Sequence, residues 1–355
     1  MSIATALEGL DLPGKKRPGA WRVLEKLSHS KQNSTEKCSV GYRVQHSDGT
    51  LGFLKASDID LMTSGDDMLA RLFAATELQT FERAILNHCQ GSNMDRVVTP
   101  LDYGDDLRVY ESVRQPLFWI VFELAKCDAR MQMNINRRLD FSWSLTALHN
   151  LSTAVSQLHG ASVSHNDIKP SNLLVFDDLL QKLGDLGSAT SPSYPALHDG
   201  EGCIGDARYA APETVYSDFE QESSIVFASR RASDLYLLGS MAFFFMTGTM
   251  LTPAVLSRML EVHQPHKWGG GFQAILPYWR QAFADTLMSL RRELPANADG
   301  ALTNHSQRFV EAVKQLCEPD PSLRGHPLSR NVHGDPYSVE RYIALFDLLR
   351  KSSLN

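Results

Sequence analysis

The sequence predicts an α+β fold of two unequal lobes, a small N-terminal β-sheet lobe carrying one long helix and a larger helical C-terminal lobe. Three observations lead there. Short strand-like segments joined by turn residues dominate the first third of the chain, a single stretch of helical spacing interrupts them, and after Asp128 the pattern turns helical almost to the C-terminus. Strands first and helices afterwards point to an α+β arrangement. A cleft between two lobes is a natural site for a nucleotide.

Taken in order, residues 1–18 read as a flexible tail, because Pro13, Gly14, Pro18 and Gly19 interrupt regular structure. Residues 19–124 are expected to form the sheet lobe. Trp21–Leu27 is a candidate strand, and Cys38–His46 and Leu51–Ala56 are joined by Ser47-Asp48-Gly49-Thr50, a hairpin signal. From Asp66 to Cys89 the apolar residues Leu69, Leu72, Phe73, Phe81, Ile85 and Leu86 have helical spacing, with Asp66 as the cap. Further short strands are expected near Val97–Tyr103, Leu107–Ser112 and Trp119–Leu124. Residues 125–355 are expected to form the helical lobe. Within it Trp143–His159 is a long periodic segment, and Val163–Leu183 is a loop-and-strand region. Leu235–Leu251 is almost wholly apolar and approaches the length of a membrane span. It holds Gly239, Ser240, Thr247, Gly248 and Thr249 and follows Asp234 without a basic flank, which favours a buried central helix.

Of the 355 residues 43% are hydrophobic and 21% charged, enough apolar material for a large core or two lobes. The net charge of -6 argues against a dedicated nucleic-acid or membrane-surface binder. The five cysteines, Cys38, Cys89, Cys127, Cys203 and Cys317, form no CxxC pair, so neither a disulfide framework nor a zinc site is indicated. The first residues lack the charged start and apolar core of a signal peptide. Both facts fit a reducing compartment, and the expected location is cytoplasmic.

The chemistry concentrates in three blocks. Ser164–Phe176 reads SHNDIKPSNLLVF, Lys182–Ala189 reads KLGDLGSA, and Gly205–Glu213 reads GDARYAAPE. Singly, each carboxylate in them reads as a loop residue or a helix cap; together, with the apolar Leu173-Leu174-Val175 between Asn172 and Asp185, they make chance a poor explanation.

On these blocks the chain resembles the eukaryotic-type protein kinase superfamily, and its serine/threonine kinases in particular, from about Trp21 to the final helices. The resemblance implies transfer of the γ-phosphate of Mg-ATP to serine or threonine hydroxyls of a protein substrate, with self-phosphorylation possible. Asp167 matches the carboxylate that accepts or orients the substrate proton, and Lys169 the group that neutralises charge on the γ-phosphate. Asn172 and Asp185 match the magnesium ligands. Lys55 matches the lysine on the α- and β-phosphates. Its partner on the long helix is Glu82 rather than Glu77, because Ile85-Leu86 then falls where the family has an apolar pair. Phe122-Glu123-Leu124-Ala125 resembles the hinge, with Glu123 and Ala125 binding adenine, Leu174 beneath it and Phe122 as gatekeeper. Asp128 lies where it reaches a ribose hydroxyl or stays in solvent. Ala211-Pro212-Glu213 and Arg324 resemble the ion pair that anchors the peptide platform. Asp234 resembles the aspartate that starts the central helix and holds the catalytic loop.

Several positions depart from the family. No glycine lies between Gly19 and Gly41, and Ser28–Lys37 replaces the glycine-rich loop over the phosphates. Phe53 stands where a small alanine is usual, and it either stacks on adenine or fills its site. Asn166 replaces the arginine that receives an activation-loop phosphate, so activation independent of that contact is expected. Ser188, Thr190, Ser191 and Ser193 are candidate phosphosites or solvated hydroxyls, Asp206 is placed to pair with Lys169, and Leu186 replaces phenylalanine. The alternatives are a weak pseudokinase acting as a binding or scaffold module, and a small-molecule phosphotransferase, which has no use for Ala211-Pro212-Glu213 or Arg324.

Overall fold

The structure is a computed structural model of the chain, and it describes residues 2–27, 39–58, 68–136, 139–177, 179–216, 226–297, 300, 302–331 and 334–353. The fold is α+β and two-lobed, with two compact units. The first holds Met1–Met94, Val98–Lys126 and Tyr194–Leu197; the second holds Asp95–Val97, Cys127–Ser193 and His198–Asn355.

The first unit is built on a six-stranded antiparallel sheet ordered β1-β2-β3-β4-β6-β5, from β1 (Asp11–Pro13), β2 (Ala20–Lys26), β3 (Ser39–His46), β4 (Leu51–Ser57), β5 (Pro100–Tyr110) and β6 (Val113–Glu123). The expected hairpin pairs Gln45 with Leu51, and its turn is tied by Thr50 N–H donating to Asp48 Oδ1 at 2.9 Å. Helix α1 (Met68–Gly91) follows β4; Phe81, Ile85 and Leu86 are buried along it, whereas Phe73 is 64% exposed. The expected cap Asp66 lies outside the described residues. Leu107–Ser112 is not a strand of its own. β5 runs on to Tyr110 and turns at Glu111 and Ser112, whose φ of 49° and 67° give the twist of a two-residue hairpin into β6. Its far end projects beyond the core, leaving Leu107 and Val109 exposed, and this is why the alternation fades there.

The flexible tail expected over residues 1–18 is not what forms. Ile3–Thr5 is a short 3-10 turn, and β1 pairs with β2 through Leu12 and Trp21. Ile3, Ala4, Leu7 and Leu12 join Trp21, Tyr42, Val44, Leu54 and Trp119 in one buried cluster. Tyr42 Oη donates to Ala4 O at 2.7 Å, and Ile3 N–H donates to Gln115 Oε1 at 2.8 Å. Prolines and glycines break helices, but an edge strand tolerates Pro13. A Cβ on Gly14 would lie 2.0 Å from Asp102 Oδ2, so the glycine permits close approach rather than disorder.

The second unit is helical around α2 (Ala129–Asn136), α3 (Phe141–Gly160), α4 (Pro212–Val215), α5 (Val226–Thr247), α6 (Leu251–Leu256), α7 (Phe272–Glu293), α8 (Asn304–Leu316), α9 (Pro327–Asn331) and α10 (Glu340–Ser353). Asp140 caps α3 by accepting from Trp143 N–H, and α3 packs on α5 and α10. α5 is buried on all sides from Leu235 to Phe245, as a central helix must be. No described helix is long and apolar enough to cross a membrane. A small antiparallel sheet, β7 (Cys127–Asp128), β8 (Leu173–Val175) and β9 (Gln181–Leu183), carries the loops that hold the chemistry.

Candidate active site

One carboxylate fixes the backbone of the candidate catalytic loop. Asp234 is fully buried and accepts His165 N–H and Asn166 N–H at 2.8 Å each, and it pairs with His159 Nε2 at 2.9 Å. It sits inside α5, eight residues past Val226, and not at the helix start; the polar run before it is helical too. His165 is held in one tautomer. Its Nδ1 accepts Asp167 N–H at 3.2 Å, so its Nε2 carries the proton and donates to Gly184 O at 2.9 Å. Asn166 takes a left-handed φ of 63°, a conformation asparagine accepts more readily than most residues.

Asp167 is the focus of this loop. Its Oδ1 accepts Asp206 N–H at 3.0 Å, while Oδ2 lies 2.8 Å from Lys169 Nζ and accepts Asn172 Nδ2 at 3.1 Å. Burial pushes the Asp167 carboxyl above its ordinary pKa, and the Lys169 ammonium only partly opposes this. A poised carboxylate of this kind suits proton acceptance. Gly205, at φ +80°, brings the Asp206 amide in; a Cβ there would lie 2.5 Å from Asn166 O. The side chain of Asp206 is not spent on Lys169. Arg208 takes it in a two-point pair, Nε to Oδ1 at 2.8 Å and Nη2 to Oδ2 at 2.6 Å. Burial raises the Asp206 pKa, but the Arg208 hydrogen bonds outweigh burial and leave it below the ordinary value.

Asn172 donates its amide N–H groups to Asp167 O and Oδ2, and its Oδ1, a hard oxygen acceptor, takes a hydrogen bond from Ser171 Oγ at 3.3 Å. Asp185 is half-buried at φ 63°, a left-handed conformation rare for a non-glycine and common where function imposes it. An amide oxygen and a carboxylate are the donor set magnesium accepts alongside phosphate oxygens, so these residues fit the ion the resemblance implies.

The segment after Asp185 is tied to the loop without any phosphate. Ser164 and Thr190 exchange two backbone hydrogen bonds of 2.9 Å, and Asn166 Nδ2 donates to Ser188 O at 2.9 Å and to Thr190 Oγ1 at 3.1 Å. Thr190 and Ser191 are buried, Ser188 is half-buried and Ser193 is exposed, so Ser193 is the most open of the four hydroxyls. The segment closes on α4. There Arg324, fully buried, donates to both Glu213 oxygens at 2.5 and 2.8 Å, and its other N–H groups reach Glu318 O, Ala232 O and Pro319 O. Every guanidinium proton is used, and removing one partner of such a pair typically costs about 3–5 kcal/mol.

The first unit supplies a cation on a sheet face. Along β4 the side chains alternate, so Leu54 and Ala56 enter the core while Phe53 and Lys55 share the opposite face. The register sets Phe53 beside Phe122 and Lys55 beside Ile120. Glu82 of α1 meets Lys55 Nζ at 2.8 Å and is nearly buried; Glu77 is exposed. Phe53, Glu123 and Ala125 are half-buried. In the second unit, Asp128 pairs in register with half-buried Leu174, and its Oδ1 accepts Met131 N–H at 2.7 Å, capping α2. Ser28–Lys37 lies outside the described residues.

Two participants were missed in the sequence. His159, in the last turn of α3, backs Asp234; a histidine closing a helix six residues before His165 was the available signal. Arg208 neutralises Asp206, and its place two residues on in a short loop was the clue.

The chain is similar to known proteins over most of its second unit and part of its first. A family model described as the protein kinase domain matches residues 76–333. A calcium/calmodulin-dependent protein kinase kinase of Caenorhabditis elegans is 26% identical over 61% of this chain and 37% of its own length. Mitogen-activated protein kinase 13 of Oryza sativa subsp. indica is 29% identical over 62% of this chain and 42% of its own. Testis-specific serine/threonine-protein kinase 2 of Mus musculus is 27% identical over 46% and 42%. The matched region thus spans less than half the length of each of these relatives.

Proposed function

We propose that this chain, which belongs to the protein kinase family, transfers the γ-phosphate of Mg-ATP to serine or threonine hydroxyls of a protein substrate. The observation that carries the proposal is the set around Asp167: a buried carboxylate with a raised pKa, fixed by Asp206 N–H, Asn172 and Lys169. Mg-ATP, when bound, supplies the phosphoryl group and the metal charge that stabilises its transfer.

This chain's residues divide the remaining work. Asp167 orients the substrate hydroxyl and takes its proton on a carboxylate oxygen. Lys169 holds Asp167 ionised and offers positive charge to the moving phosphoryl group. Asn172 Oδ1 and the Asp185 carboxylate would hold magnesium. Lys55, kept extended by Glu82, binds the α- and β-phosphates. In the first unit Phe53 and the backbone of Glu123 and Ala125 bind the adenine; in the second unit Leu174 offers an apolar surface to the nucleotide and Asp128 a carboxylate to the ribose. The similarity of the matched relatives supports serine/threonine specificity, and exposed Ser193 is the preferred site of self-phosphorylation. A cytoplasmic location goes with this function.

The test is transfer from labelled ATP to a generic basic protein and to the chain itself, with Asp185→Ala as control. Wild type labels both and Asp185→Ala neither. Equal labelling by the two proteins contradicts phosphoryl transfer, and a melting temperature unmoved by Mg-ATP supports a scaffold module instead.

A further inference from the structure

A cavity of about 290 Å³ in the second unit is lined by Arg130 and Met133 of α2, by Pro170, and by Tyr209, Phe244 and Met250. Two of these residues connect it to the chemistry. Pro170 directly follows Lys169, and Tyr209 stands three residues after Asp206, whose N–H fixes Asp167. The lining is mostly apolar, and its one charge is positive. Arg130 is half-buried and makes no ion pair among the described residues. The carboxylate two residues before it, Asp128, accepts Met131 N–H with Oδ1. Arg208, the other cation on this stretch of chain, is already neutralised by Asp206.

We infer that this cavity docks the protein substrate and selects a segment carrying an apolar side chain next to an acidic one, the carboxylate pairing with Arg130. The inference rests on the kinase function proposed above and names the class of polypeptide it acts on. Methionines adapt to different apolar shapes, so Met133 and Met250 discriminate weakly among aliphatic and aromatic side chains. Charge is then the discriminating feature. A planar guanidinium partly withdrawn from water favours a carboxylate and rejects a lysine, which would set two cations together with no counter-charge in the lining.

The experiment uses serine peptides that contain one leucine and carry glutamate or lysine, in turn, at each flanking position. Transfer is read as kcat/KM, and binding is read separately as the Kd from fluorescence anisotropy. At one or more positions wild type prefers glutamate by about tenfold in both readouts, and Arg130→Glu reverses the preference at those positions. An unchanged melting temperature verifies that the variant folds. No preference at any position, or a preference that survives Arg130→Glu, overturns the inference while leaving transfer intact. Charge-dependent binding without transfer to any peptide overturns the kinase function and retains the docking cavity. Neither binding nor transfer overturns both.

Discussion

Two buried carboxylates, one in each unit, do the same mechanical work for different ends. Asp102 stands at a bulge in β5 and accepts Trp21 Nε1–H at 2.9 Å and the backbone N–H groups of Lys15, Lys16 and Tyr103 at 3.1, 2.8 and 2.8 Å. It ties the N-terminal segment to the sheet. Asp234 accepts two backbone N–H groups and meets His159, and it ties the catalytic loop to the central helix. In both cases a carboxylate far from water accepts N–H groups fixed in the backbone. What differs is the loop. The first carries apolar anchors and the second carries Asp167, the proposed proton acceptor, so the first is expected to set stability and the second chemistry.

Breaking Asp234 should have the larger effect. Asp234→Ala frees His165 and Asn166 N–H and lets Asp167 drift, which is expected to lower kcat by at least about 10²-fold, since displacements near 1 Å cost that much. The melting temperature should fall as well. A variant with wild-type kcat would show that the loop is held by other contacts, and the assignment of Asp234 would be wrong.

Asp102→Ala should act on the fold alone. The stranded indole and amide N–H groups cost about 1–3 kcal/mol for each one left buried and unpaired. Denaturant unfolding should therefore show a lower midpoint, with kcat of the folded protein unchanged. A drop in kcat as large as that of Asp234→Ala would erase the distinction between the two anchors.

The same contrast explains what the sequence disclosed. Asp167, Lys169, Asn172 and Asp185 stood out in the sequence because they lie at short, fixed spacings, and the structure brings Asp167, Lys169 and Asn172 into contact. Lys55 and Glu82 were legible as a pair through the family resemblance, which set Ile85-Leu86 at the family's apolar pair, and the structure joins them at 2.8 Å. The N-terminal segment was not, because its apolar residues carry no period and its Pro and Gly look like breakers. Only the buried cluster around Tyr42 and Trp119 reveals that Ile3, Leu7 and Leu12 have a place to go. The pairing of Asp206 was also hidden. At that position Lys169 and Arg208 were both within reach by sequence, and Asp167 had already taken Lys169.

The central claim is that Asp167 takes the substrate proton, and the most direct measurement is the transfer rate against pH for wild type and Asp167→Asn. Because burial raises the Asp167 pKa, its carboxylate form is lost as pH falls through a value above the ordinary aspartate range near 3.8. The wild-type rate should fall along that acidic limb. Removing the ammonium in Lys169→Met should move the limb to higher pH, since Lys169 is what opposes the rise. Asp167→Asn should lose about 10²–10⁴-fold at every pH and show no such limb. An Asp167→Asn protein that transfers phosphate at the wild-type rate, or keeps the same acidic limb, would contradict the account.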